Sequence, residues 1–98
     1  LIIDDMIDTA GTTVNAASTA IDNGAKSVTA VATHAILSGP AVNRIKKSKI
    51  KQLIVTDTVS ITEDKILDNM KVVTVAEVFA EAIQRIFNGE SVSALFEF

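Results

Sequence analysis

The sequence contains no cysteine, so nothing in it indicates a disulfide framework. It also has no apolar run of about 18 residues and no charged segment followed by an apolar leader, the patterns typical of a membrane span and of a secretion signal. Basic residues are outnumbered by acidic ones, 9 to 12, which leaves a net charge of −3. This balance argues against a general electrostatic affinity for nucleic acid. These absences predict a cytoplasmic chain without a membrane or nucleic-acid partner.

The size and composition of the chain allow one modest hydrophobic core. With 98 residues, of which 48% are hydrophobic, one domain is the upper bound. A chain of this size buries roughly 60–65% of its unfolded surface. Because Leu1 lies in what resembles the middle of a strand, and no initiator Met precedes it, we expect the chain to be part of a longer polypeptide.

Apolar runs alternate with helical periods along the chain, a pattern typical of right-handed βαβ units and a parallel sheet. We predict four strands: one ending at Leu1–Ile3 and buried, then Ser27–Thr33, Gln52–Thr56 and Lys71–Val73. We predict three helices: one through Val14 and Ile21 that ends at Asn23, one with Pro40 at its first position, and one that begins with the capping-box pair Thr74 and Glu77 and ends near Gly89. The predicted fold class is therefore α/β, a parallel sheet flanked by helices.

The segment between the first strand and the first helix has two chemically different halves. Asp4 and Asp5 supply carboxylate oxygens that suit paired sugar hydroxyls or magnesium. From Asp8 to Thr12 the chain offers small side chains, a glycine and two hydroxyls just before a helix N-terminus, where anions bind. Each half alone is more typical of a solvated loop or an ordinary turn. Their order in one segment favours a ligand with a vicinal diol at one end and a phosphate at the other, as in a ribose 5-phosphate.

The stretch from Ile2 to Thr12 closely resembles the phosphoribosyl pyrophosphate loop of phosphoribosyltransferases and phosphoribosyl pyrophosphate synthetases. Two further segments, Ala32–Ala41 and Asn88–Phe96, resemble the ribose-phosphate pyrophosphokinase family, which is the synthetase, and are not general to the transferases. The resemblance runs the full length of the chain. It implies a type I phosphoribosyltransferase-like fold, with residues 1–98 as an incomplete C-terminal domain that lacks the N-terminal half of the enzyme.

The resemblance also implies an activity and a set of site residues. The enzyme family transfers the diphosphate of ATP to the 1-hydroxyl of ribose 5-phosphate, with magnesium as cofactor, and the isolated fragment is expected to be inactive. The implied substrate-binding residues are Asp4, Asp5, Asp8, Thr9, Ala10, Gly11 and Thr12, with Asp4 and Asp5 also at the metal and no catalytic side chain. Ser91, Ser93 and Phe96 match residues that help to form an allosteric phosphate or nucleoside-diphosphate site between subunits, and the assembly is expected to be a homo-oligomer, a dimer or a hexamer.

Two other functions stay open on the sequence. A phosphoribosyltransferase would use the same loop but would displace pyrophosphate with a base, and the segments around His34 and Ser91 argue against it. A non-catalytic, synthetase-associated regulator would keep the fold and bind the sugar phosphate without turnover.

Four further features could belong to a functional site, but each also has an ordinary structural interpretation that we favour or consider equally good. His34 follows a strand and has no second histidine or cysteine beside it, which favours a hydrogen-bonding role over catalysis. The basic run of Arg44, Lys46, Lys47, Lys49 and Lys51 is more typical of a solvated helix end than of an anion site. Phe79 and Phe87 are predicted to be core residues. Asp57 fits either the site or a strand-end turn.

Overall fold

The alternation of apolar runs and helical periods becomes an alternation of strands and helices in the computed structural model, which describes residues 1–97. The elements are β1 (Ile2–Ile7), α1 (Gly11–Asp22), β2 (Val28–Ala35), α2 (Ala41–Lys46), β3 (Ile50–Thr56), β4 (Met70–Val73) and α3 (Ala76–Phe87). Short 3-10 turns at Glu63–Lys65 and Ser93–Phe96 complete the described part of the chain.

The four strands form one parallel sheet in the order β1-β2-β3-β4. Parallel neighbours need a crossover connection, and α1 and α2 provide the first two crossovers. The register places Ile2 beside Ala30, and Ala30 beside Leu53, so these side chains share one face of the sheet. The predicted α/β class, a parallel sheet with helices, is confirmed.

The hydrophobic core lies between that face of the sheet and the two crossover helices. Alternate residues of β2 and β3 are fully buried and cluster with Ala17 of α1 and Ile45 of α2. The buried strand residues are Ile7 of β1, Val28, Ala30, Ala32 and Ala35 of β2, and Ile50, Leu53 and Val55 of β3. Burial of a side chain the size of Leu53 contributes about 1.5–3 kcal/mol, so this layer holds the end of β1 and the start of α1 in fixed positions.

The prediction for the first strand was wrong in extent and in burial. β1 continues through Asp4 and Asp5 to Ile7, while Leu1 and Ile3 are 80% and 71% exposed. The reason is position: within residues 1–97, β1 pairs with β2 alone and stands at an edge of the sheet. An exposed edge strand tolerates the charged pair that the sequence suggested was a loop.

The sequence predicted Pro40 at the first helical position of α2. In the structure it lies one residue before the helix, at the N-cap. Its ψ of 7° is not helical, but its carbonyl accepts the N–H of Arg44 at 2.9 Å and so provides the first acceptor of the helix. β2 extends two residues beyond its predicted end at Thr33.

The last helix is where the structure departs most from the sequence-based expectation. The predicted capping box of Thr74 and Glu77 does not form: Val75 is the N-cap and no side chain caps the helix. Thr74 Oγ1 instead accepts the N–H of Ala76 at 3.2 Å. Phe79 and Phe87, however, are 58% and 88% exposed, so the prediction that they are core residues was wrong. No side chain of α3 is buried by residues 1–97, because the helix does not pack on the sheet. Within those residues, every helix is too short or too polar to cross a bilayer.

Candidate functional site

A pocket of about 200 Å³ lies between the carboxyl end of β1 and the start of α1. It is lined by Asp4, Met6, Ile7, Asp8, Thr9, Ala10, Gly11, Thr12 and Thr13. The pocket therefore brings together six of the seven residues that the sequence indicated for sugar-phosphate binding. The carboxyl end of a parallel strand is also where ligands bind in open α/β sheets.

Asp5 is the member of the predicted set that does not line this pocket. Asp4 and Asp5 are consecutive residues of β1, and successive side chains of a strand point to opposite faces. The two residues are linked, because the N–H of Asp5 donates to Asp4 Oδ1 at 2.9 Å. The Asp4 carboxylate thus reaches the pocket directly, and Asp5 stands beside it on the other face.

The N-terminus of α1 presents unpaired backbone N–H groups to the pocket. Ala10 adopts a left-handed φ of 65°, and its carbonyl accepts the N–H of Val14 at 3.0 Å as the helix begins. No side chain caps this end of the helix, and its first turn contains no acidic residue. The first N–H groups of the helix and the positive end of its dipole are therefore available to an anion.

The glycine of the loop has a specific neighbour. A Cβ added to Gly11 would lie 3.3 Å from Nη1 of Arg44, a contact tighter than most real Cβ contacts. The left-handed residue of the loop is Ala10, and Gly11 keeps a negative-φ backbone. The absent side chain at Gly11 thus leaves room for Arg44.

The connection from β2 to α2, residues 36–40, holds the loop from outside the pocket. Ile36 and Leu37 donate their N–H groups to the carbonyl of Ile7 at 3.0 and 3.1 Å. Ser38 donates its N–H to the carbonyl of Asp8 at 3.0 Å, and its hydroxyl donates to the Asp8 carboxylate.

Arg44 of α2 contacts the same loop, donating from Nη1 to the carbonyl of Thr9 at 3.0 Å. Sequence reasoning assigned no role to Ser38 and placed Arg44 on a solvated helix end. The order of the strands could have indicated these two contacts, because the segments that follow neighbouring parallel strands meet at one edge of the sheet. Arg44 and the other members of the basic run, Lys46, Lys47, Lys49 and Lys51, are all exposed as predicted.

His34 and Asp57 both make hydrogen bonds, near the carboxyl ends of their strands, to residues distant in the sequence. His34 Nδ1 lies 2.7 Å from Thr58 Oγ1, in agreement with the hydrogen-bonding role favoured for it. The Asp57 carboxylate accepts the N–H of Val75 at 2.8 Å, just before α3. The Thr74 hydroxyl and then this N–H hold the pKa of Asp57 below its ordinary value. Asp57 thus contacts the start of α3 and does not line the pocket beside α1, so its observed contact is neither in the predicted site nor a local strand-end turn.

The C-terminal segment is attached to α3 and lies outside this pocket. Ser91 Oγ accepts the N–H of Ser93 at 3.2 Å, and the carbonyl of Ser91 accepts a hydrogen bond from Arg85 Nη1 at 3.0 Å. Phe96 is 69% exposed at the end of the 3-10 turn. Ser93 and Phe96 thus lie on the 3-10 turn, and Ser91 lies two residues before it.

Comparison with known proteins shows the family of this chain. The family described as phosphoribosyl synthetase-associated domain matches residues 1–97. A ribose-phosphate pyrophosphokinase of Caldanaerobacter subterraneus subsp. tengcongensis is 53% identical over 98% of this chain and 30% of its own length. The protein of the same name from Clostridium tetani is 55% identical over 99% of this chain and 30% of its own length.

A solved structure gives the same relationship in three dimensions. The crystal structure of phosphoribosylpyrophosphate synthetase from Mycobacterium smegmatis superposes with a TM-score of 0.87 at 40% identity, over 89% of this chain and 29% of the solved one. The chain thus spans about 30% of the length of the curated relatives. Sequence and structure agree over nearly the whole chain, and we conclude that it belongs to the phosphoribosyl synthetase-associated domain family, as a homologue of ribose-phosphate pyrophosphokinases.

Proposed function

We propose that this chain is the ribose 5-phosphate-binding part of a ribose-phosphate pyrophosphokinase. The complete enzyme would transfer the diphosphate of ATP to the 1-hydroxyl of ribose 5-phosphate and release phosphoribosyl pyrophosphate and AMP. The observation that carries this proposal is the pocket that is lined both by the start of α1 and by Asp4. Homology at about 50% identity supports the assignment of this reaction. The chemistry of the pocket supports a sugar phosphate as its ligand.

Different residues of the pocket bind different parts of the substrate. The backbone N–H groups from Asp8 to Thr12 and the hydroxyls of Thr9 and Thr12 bind the 5-phosphate. Asp4, with Asp5 beside it, accepts hydrogen bonds from the 2- and 3-hydroxyls. The Asp8 carboxylate is bonded to Ser38, which suits it to shaping the loop. The attacking oxygen belongs to the sugar, so the protein acts by positioning and charge stabilisation, and no nucleophilic side chain is required.

The donor set at this end of β1 fits magnesium. Within residues 1–97 no cluster of three His, Cys, Asp or Glu residues is close enough to hold a metal by itself. Magnesium is commonly held by one or two carboxylates together with water and substrate phosphates. Asp4 and Asp5 supply such carboxylates. When bound, the ion would neutralise charge on the transferred diphosphate.

The remaining parts of the activity follow from the same proposal. The ATP-binding residues belong to the rest of the complete enzyme, which acts in the cytoplasm as a homo-oligomer, a dimer or a hexamer. The tail residues Ser91, Ser93 and Phe96 take part in an allosteric site for phosphate or a nucleoside diphosphate. Two closely placed hydroxyls on an exposed turn are suited to phosphate oxygens.

Carboxylate substitutions in the full-length enzyme test the proposal. Asp4→Asn and Asp5→Asn should each lower kcat/KM for ribose 5-phosphate by several powers of ten or raise the magnesium requirement, because the first removes the anionic acceptor that lines the pocket and the second removes the carboxylate beside it. Asp22→Asn is the control, since Asp22 is an exposed residue of α1 paired with Lys49 at 2.9 Å. It should leave turnover nearly unchanged. Three variants with the same activity would show that the pocket is not the sugar site.

The products distinguish the two rival functions in the same assay. Formation of phosphoribosyl pyrophosphate and AMP from ATP and ribose 5-phosphate supports the kinase. Consumption of phosphoribosyl pyrophosphate with a base identifies a phosphoribosyltransferase. Binding of ribose 5-phosphate by the parent protein without turnover identifies a regulator.

A further inference from the structure

Three successive carbonyls at the start of the pocket loop are held by donors from one side. The carbonyl of Ile7 accepts two N–H groups of the β2–α2 connection, and that of Asp8 accepts the N–H of Ser38. The carbonyl of Thr9 accepts Nη1 of Arg44. The first two acceptors are held by backbone N–H groups, which every residue except proline supplies. The third is held by a side chain, at a position 35 residues away in the sequence.

Peptide geometry converts these contacts into a direction for the N–H groups. Every peptide bond in residues 1–97 is trans, so each carbonyl points opposite to the N–H of the next residue. The N–H groups of Asp8, Thr9 and Ala10 therefore point away from the β2–α2 connection and from Arg44. All three residues line the pocket, and within the described chain these N–H groups have no hydrogen-bond acceptor. Successive N–H groups that point to the same side suit an anion.

We propose that Arg44 is a positioning residue for the phosphate of the substrate. It binds the Thr9 carbonyl from outside the pocket, and so fixes the peptide plane that carries the Ala10 N–H. Arg44 is not a lining residue of the pocket and acts through the loop. The inference rests on the proposed function in one respect, namely that a sugar phosphate occupies this pocket.

Gly11 belongs to the same arrangement. The guanidinium occupies the space beside the Gly11 Cα, where a Cβ would lie 3.3 Å from Nη1. A methyl group at this position crowds the guanidinium, which must shift by a few tenths of an ångström and so loses the best geometry of its hydrogen bond to Thr9. Gly11 in the loop and Arg44 on α2 are therefore coupled. The sequence pattern gave no indication of this contact.

Steady-state kinetics of the full-length enzyme test the role of Arg44. Arg44→Ala should raise KM for ribose 5-phosphate about tenfold or more, the effect of losing a hydrogen bond from a charged group. KM for ATP should stay within about twofold of the parent value, an outcome that a general loss of structure would not give. Arg44→Lys should recover part of the affinity, because it restores one donor and the charge. Lys46→Ala removes the same charge from an exposed position of α2 and should change neither constant.

Coupling to Gly11 provides a second, independent readout. Gly11→Ala should raise KM for ribose 5-phosphate in the parent and have a smaller effect in the Arg44→Ala background, since the methyl group then has room. Additive effects of the two substitutions would overturn the proposal. So would equal KM values for Arg44→Ala and Lys46→Ala, provided that both variants keep the unfolding midpoint of the parent.

Failure of the proposed function would be recognised separately. If the parent enzyme does not turn over ribose 5-phosphate, the same variants are titrated with inorganic phosphate while the amide NMR signals of Thr9, Ala10 and Gly11 are followed. Shifts of these signals in the parent that weaken in Arg44→Ala and persist in Lys46→Ala support the positioning role. Identical titrations in all three proteins, or no response of these amides in the parent, overturn it.

Discussion

Asp57 shows how a single side chain joins two elements of this fold. It follows β3, yet its carboxylate accepts the N–H of Val75 at 2.8 Å, immediately before α3. An acidic group at a helix N-terminus also interacts favourably with the helix dipole. Since α3 has no buried side chain within the described residues, this contact is one of the few that attach the start of the helix to the sheet.

The titration of Asp57 should reveal this contact. The Thr74 hydroxyl and the Val75 N–H lower the pKa of Asp57 relative to the unfolded chain. The ionised carboxylate therefore stabilises the fold at pH values above the unfolded pKa, and this contribution is lost as the pH falls through the folded pKa. We expect Thr74→Val to raise the pKa of Asp57, measured from carboxyl carbon NMR shifts.

The control for this titration is Thr62→Val. The Thr62 hydroxyl is the main cause of the lowered pKa of Asp64, so its removal should raise that pKa and leave Asp57 unaffected. An Asp57 carboxyl that titrates at its ordinary value in the parent protein would contradict the assigned contact.

The residues of the pocket loop were predictable to different degrees. Asp8 to Thr12 form a local pattern between an apolar run and a helical period, so the sequence identified them. Ser38 and Arg44 contact this loop across 30 and 35 positions, and such contacts depend on strand register and helix placement. A basic run of five residues gave no means of singling out Arg44, which alone among them donates to the loop.

Among the elements, α3 and the turn that follows it form a unit with few attachments to the sheet. Glu81 and Arg85 form an ion pair at 2.9 Å along α3. Arg85 also donates to the Ser91 carbonyl at 3.0 Å, so the helix holds the turn that carries both candidate allosteric serines. Ser91 Oγ already accepts the N–H of Ser93, which gives Ser91 a structural role in the turn.

Regulation through this turn can be tested in the full-length enzyme. We expect inorganic phosphate to activate and ADP to inhibit in a manner not purely competitive with ATP, because coupling between distinct sites alters affinity or turnover. Ser93→Ala should weaken both responses without loss of basal turnover. Ser91→Ala should weaken them too, and it also removes a hydrogen bond within the turn.

Ser48→Ala is the matched control, since Ser48 makes comparable local hydrogen bonds far from the tail in sequence. Purely competitive ADP inhibition, no activation by phosphate, and parental behaviour of both tail variants would together show that the tail is only structural.

The existence and order of the elements were easier to predict than their ends and their burial. Parallel strands rich in β-branched residues and helices of clear period were identified from the sequence. The end of β1 was misplaced because two aspartates resemble a loop when the strand stands at a sheet edge. The helical stripe of Phe79 and Phe87 was assigned to a core because periodicity shows that a face is apolar and does not show what covers it.

The whole molecule is extended for its length. Its radius of gyration is 16.0 Å, with extents of 51 × 30 × 19 Å, whereas a compact chain of 100 residues has about 13 Å. The core and the pocket occupy the half formed by the sheet, α1 and α2. The apolar side chains of α3 stay exposed within residues 1–97. The pocket is therefore built on the best-packed part of the chain, which suits a site that works by positioning.

The most direct test of the account is a crystal structure of the full-length enzyme with ribose 5-phosphate bound. We predict that the phosphate lies within hydrogen-bond distance of the backbone N–H groups of residues 8–12, at the start of α1, with the sugar hydroxyls toward Asp4. Ribose 5-phosphate bound with its phosphate elsewhere, and this loop empty, would contradict the account.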